Sequence, residues 1–116
     1  MTVRKEVIET VQKLRDEEYL VAALTNNWAV RDQLHERLDQ LRDEFDYFVE
    51  SHKVGYRKPE RELYNLVLDE MGVRAKDVVF LDDLGQNLKP ARAMGMHTIK
   101  VTDPQVALSE LWAALN

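Results

Sequence analysis

The sequence has no cysteine among its 116 residues. Disulfides and thiolate metal sites are therefore excluded, and a reducing compartment is expected. It is also poor in residues that break regular structure, with three prolines and four glycines. That leaves little room for a linker, and no internal repeat or low-complexity stretch is visible, so one domain over 1–116 is expected. No apolar run approaches the ~18 residues a membrane helix needs. The opening stretch MTVRKEVIETVQKLRDEE lacks the apolar centre of a signal peptide. A cytoplasmic protein with no membrane partner is the expectation. Positive charge is not in excess either: the formal net charge is -5, with Lys and Arg dispersed among acids. That argues against a nucleic-acid surface.

Helical and strand periods alternate in what is present. Val3, Val7, Val11 and Leu14 recur at helical spacing over residues 3–18. YLVAALT (19–25) is a short apolar run without alternation, as in a strand buried on both faces. Residues 29–45 form a second amphipathic helix, with Val30, Leu34, Leu38, Leu41 and Phe45 on one stripe. DYFVES (46–51) reads as a second strand. A helix over 59–71 follows, with Pro59 in its first turn and Gly72 as its stop. DVVFLD (77–82) is a third strand, 87–94 a short helix ending near Gly95, and HTIKV (97–101) a fourth strand. Asp103 caps a last helix, with Pro104 at its first position. This order implies an α/β fold, three-layer α/β/α with a parallel, Rossmann-like sheet.

Ligands of such sheets sit outside the carboxyl ends of the strands. The first strand delivers Thr25 and Asn26 there, the second leads to Lys58, and the third ends on Asp82 and Asp83. Burying two adjacent carboxylates raises their pKa unless a cation compensates. Magnesium suits such a pair, because it takes one or two protein carboxylates and keeps water and phosphate for the rest. The plainer alternative has Asp83 capping the next turn and Asp82 in solvent. Lys58, placed before a proline, is held extended and outside the helix that follows. Its ammonium could neutralise phosphate or carboxylate, or simply be solvated. Thr25 and the amides after it could hold an anion, or merely end a strand. His35, His52 and His97 show no metal-ligand spacing, and Trp28 and Trp112 read as packing residues.

LTNN, VGYRKP and VVFLDDLGQNLKPARAMGMHTIKV resemble the second, third and fourth motifs of the haloacid dehalogenase-like hydrolase superfamily. Within it, the phosphatase domain at the N-terminus of soluble epoxide hydrolases is most similar. The resemblance implies that Thr25 and the amide of Asn26 hold phosphoryl oxygens and that Lys58 balances charge on nucleophile and phosphate. It makes Asp83 a direct Mg2+ ligand and Asp82 a water-mediated partner. Asn87 would orient the metal-side loop, and Gly55 would allow the tight loop that presents Lys58.

One part of that pattern is missing. The family's nucleophile is an Asp on an earlier strand, followed two residues later by an acid–base Asp. This sequence has no Asp-x-Asp. The resemblance is thus to a partial core without the first strand and cap. A phosphatase-type domain inactive by itself is expected, with weak magnesium binding and phosphate or a phosphorylated small molecule as ligand. The absent central strand would leave open edges, to be filled by direct closure, by a homodimer or by a complementing polypeptide. Two alternatives remain: one part of a split phosphatase, and a receiver-like or other interaction module. A receiver orders its acids before Thr and Lys, the reverse of what stands here.

Overall fold

The computed structural model describes residues 5–26 and 42–116. They fall into two compact units, Met1–Arg57 and Lys58–Asn116. The helix expected over 29–45 lies mostly outside the described residues, as do Trp28 and His35. No helix of the described residues is long and apolar enough to cross a membrane.

The first unit holds α1 (Lys5–Asp16), β1 (Ala22–Thr25), β2 (Tyr47–Glu50) and the single turn α2 (Ser51–Val54). β1 and β2 pair in parallel, with Ala22 opposite Tyr47 and Thr25 opposite Glu50. Strand β1 is shorter than expected. Glu18 takes a left-handed conformation, φ 68°. From there the Glu18 amide donates to the Arg15 carbonyl and the Tyr19 amide to the Leu14 carbonyl. This is a Schellman ending with Glu where Gly is usual. Tyr19 therefore closes the end of α1, by its bond to Leu14, instead of starting a strand. Asp46 then ties the entry of β1 to that of β2: its carboxylate accepts from the Val21 amide at 2.8 Å and pairs with Arg15 at 3.2 Å.

The second unit holds α3 (Arg61–Met71), a 3-10 turn (Ala75–Asp77), β3 (Val79–Asp82), α4 (Gly85–Met94), β4 (His97–Lys100) and α5 (Pro104–Leu115). β3 and β4 are parallel, with Asp82 opposite Lys100 at the carboxyl end. Leu63, Tyr64, Val67, Ala91, Met96, Ile99, Ala107 and Leu111 form the buried core. Helices α3 and α4 stop at Gly72 and Gly95, as expected. Pro59 does not open α3. Glu60 is still extended, φ -65° and ψ 129°, and acts as the N-cap, so the helix begins at Arg61. Helix α4 starts at Gly85, two residues before the expected 87. Asp103 caps α5 through its carboxylate, which accepts from the Gln105 amide at 2.9 Å. Asp103→Ala should lower the unfolding free energy by about 1 kcal/mol, read from the urea midpoint.

The chain is α/β with parallel strands, as the alternation implies. The single expected sheet is described as two two-stranded sheets, one in each unit.

Candidate functional site

Asp82 is the last residue of β3 and Asp83 the first beyond it. Successive side chains of a strand point to opposite faces, so one of the pair must turn inward. That one is Asp82, only 7% exposed, while Asp83 is exposed. The plainer alternative assigned the turn-capping carboxylate to Asp83, whereas Asp82 fills that place. Its Oδ1 accepts from the Leu84 amide at 2.9 Å and from Asn87 Nδ2 at 3.2 Å. Its Oδ2 accepts from Lys58 Nζ at 2.8 Å.

Burial by itself would raise the Asp82 pKa. The hydrogen bond from Lys58, the Leu84 amide, the Lys58 charge and the Asn87 amide outweigh it and hold the carboxyl below its ordinary value. A buried carboxylate is thus kept ionised by an ammonium and two neutral donors. The strand can end on two acids because one is paired inside and the other faces water.

Lys58 sits in a turn just ahead of α3, outside the helix, as its place before Pro59 implies. Its side chain is 14% exposed in the pair with Asp82. Asn87 lies on the first turn of α4 and is buried. Its Oδ1 has no hydrogen-bond partner among the described residues. The Asp83 side chain makes no hydrogen bond or ion pair among the described residues. Lys58, Asp82 and Asn87 are therefore brought together in the second unit, with Asp83 next to them in the chain.

Thr25, Asn26 and Gly55 belong to the first unit. Thr25 closes β1 and is half-buried, while Asn26 is exposed. Gly55 ends α2 at φ 82°, a left-handed conformation that favours glycine, and its amide donates to the Ser51 carbonyl.

Two buried polar residues escaped the sequence reading. Glu50 ends β2 opposite Thr25 and is 2% exposed. Its carboxylate is gripped by Arg42 and Lys53, each at 2.7 Å. Burial opposes the charge, but these two cations bring the pKa down to about 2. The available signal was an acid ending an apolar strand, YFVE, the same pattern as VFLD. Tyr64 lies inside the helix expected over 59–71, where nothing singled it out. Its hydroxyl, however, donates to the Asn87 carbonyl at 2.6 Å.

Comparison with known proteins supplies the family of this α/β chain. The chain belongs to the haloacid dehalogenase-like hydrolases, whose sequence model matches residues 1–101. Bifunctional epoxide hydrolase 2 of Rattus norvegicus is 40% identical over 114 residues, covering 95% of this chain and 21% of the rat protein. The chain thus spans about a fifth of the length of the curated relatives it matches first. A solved structure of an uncharacterised protein from Corynebacterium glutamicum superposes with TM-score 0.82 at 17% identity, covering 94% of this chain and 80% of the other. A haloacid dehalogenase family enzyme of Bacteroides thetaiotaomicron, solved with magnesium and inorganic phosphate, gives TM-score 0.71 at 24% identity. That match covers 84% of this chain and 52% of the other. These likenesses show a Rossmann-type α/β fold of the family.

Proposed function

We propose that the chain is the magnesium- and phosphate-handling part of a phosphatase-type haloacid dehalogenase-like hydrolase, without hydrolytic activity by itself. The observation that carries this reading is the Lys58–Asp82 pair, locked into the loop that begins α4 and leaves Asp83 exposed. Both Asp82 oxygens are engaged, so Asp82 suits a water-mediated role, and Asp83 is the carboxylate free to meet a hard cation. The donor set fits magnesium, which needs few protein ligands. It fits loosely, because no cluster of three His, Asp or Glu forms among the described residues. Bound magnesium would supply a Lewis acid for a phosphoryl oxygen. Lys58 adds positive charge at the same loop, Asn87 orients Asp82, and Thr25 with the Asn26 amide are assigned to phosphoryl oxygens on the family's pattern. The reacting aspartate has to come from outside these residues, because no Asp-x-Asp is present. The absence of cysteine suits a cytoplasmic setting.

The experiment is a calorimetric titration with Mg2+ in the presence of inorganic phosphate. Saturable binding is expected, and Asp83→Asn should abolish it. Equal heats from the two proteins would reject the site.

The strand edges favour a second reading, in which a separate segment completes the enzyme. Among the described residues, β1 and β3 each have one strand partner within a two-stranded sheet. Their apolar residues Ala22–Leu24 and Val79–Leu81 stay only half-buried. Unpaired apolar edges of this kind accept a further strand. A peptide carrying an apolar strand that ends in Asp-x-Asp should then confer p-nitrophenyl phosphate hydrolysis on the chain. If the edges instead join two copies, the mass in solution will be that of a dimer and the peptide will have no effect.

A further inference from the structure

We propose that Tyr64 is a positioning residue for the acidic loop, holding the start of α4 so that Asp82 is clamped and Asp83 presented. The proposal rests on the reading of that loop as a magnesium site. Tyr64 is 1% exposed and lies on α3, six residues after Lys58. It touches both elements that flank the acid pair. Its hydroxyl donates to the Asn87 carbonyl in the first turn of α4, at 2.6 Å. Its ring meets Phe80 of β3 edge-on, with centroids 5.6 Å apart, two residues before Asp82. The Asn87 side chain then donates to Asp82. One buried hydroxyl thereby connects the helix that follows Lys58 to the residue that orients Lys58's own partner. Burial, with the Asp82 charge second, pushes the Tyr64 pKa up to about 12, so the hydroxyl stays protonated and donates throughout the neutral range. The edge-on ring contact alone would have been satisfied by phenylalanine. The hydroxyl's partner is a carbonyl of the first turn of α4 and not a group of the hydrophobic core.

Tyr64→Phe keeps the ring and removes only the donor. Amide hydrogen exchange and the NMR signals of the Asn87 side-chain amide report the loop, while Ile99 in β4 reports the core. In Tyr64→Phe the Leu84 amide should exchange several-fold faster and the Asn87 NH2 signals should move, with Ile99 protection retained. Mg2+ half-saturation should rise roughly tenfold, as when a partner that orients a metal ligand is lost. If Leu84 and Ile99 lose protection by the same factor, or neither changes, the positioning role is overturned and Tyr64 is packing alone. If the wild-type chain takes up no Mg2+, the metal reading falls, and the Leu84-to-Ile99 ratio still decides whether Tyr64 positions the loop.

Discussion

Lys58→Met is expected to lower the unfolding free energy of the chain by roughly 3–5 kcal/mol, the cost of leaving a buried carboxylate without its cation. The side chain of Asp82 is 4% exposed and that of Lys58 is 14% exposed. Water therefore cannot replace the ammonium. The Leu84 amide and Asn87 stay bonded to Oδ1 and keep the loss toward the lower end of that range. The penalty has a pH signature. With Lys58 present, the Asp82 pKa is held below its unfolded value. A depressed carboxyl contributes stability above the unfolded pKa and loses it as pH falls through the folded one. Without Lys58, burial is opposed only by neutral donors, and the gap between the two proteins narrows in acid, where Asp82 is protonated. Adding Asp82→Asn to Lys58→Met should restore part of the loss, because an amide keeps an acceptor for the Leu84 N–H and needs no cation. Urea unfolding of the four proteins of this double-mutant cycle, at neutral and acid pH, measures the coupling, expected at about 1–3 kcal/mol. Additive single effects would mean that Lys58 stabilises the fold through other contacts.

The alternation of elements and most helix ends could be read from residue types, since Gly72, Gly95 and Asp103 are the residues those positions call for. The start of β1 could not. Glu18 adopts a backbone conformation that a glycine would have announced, so the apolar letters of Tyr19 and Leu20 read as strand although both are exposed, at 39% and 50%. Pro59 suggested a helix opening because the sequence cannot show that Glu60 remains extended. At the acid pair, two adjacent aspartates of identical type imply one inward and one outward carboxylate. The family resemblance alone told them apart, and burial shows that Asp82, at the last ladder position of β3, is the inward one. Lys58 was legible through its proline, and Asn87 through its family resemblance. Tyr64 was not, because a buried hydroxyl and a buried ring share one letter and the partner is a backbone carbonyl 23 residues away.

Glu50→Gln is expected to cost about 2–4 kcal/mol at neutral pH and to flatten the acid limb of the stability curve. Glu50 is 2% exposed, with Arg42 on one oxygen and Lys53 on the other. Its pKa of about 2 in the folded chain lies well below the unfolded value of about 4.3. The charged form is therefore favoured by folding. The stability it contributes is complete above about pH 5 and disappears as pH falls toward 2, for a total of up to about 3 kcal/mol. Glutamine preserves the size and some hydrogen bonding but leaves two cations facing a neutral amide. Unfolding free energies measured between pH 2.5 and 7 should converge in acid, since protonated Glu50 and glutamine are then nearly equivalent. Parallel curves would show that Glu50 is not held ionised by its two partners. Thr25 is the residue opposite Glu50 in the β1–β2 ladder. Protonating or replacing Glu50 thus loosens the strand end that carries the candidate phosphate-binding hydroxyl, so amide exchange at Thr25 should quicken together with the loss of stability.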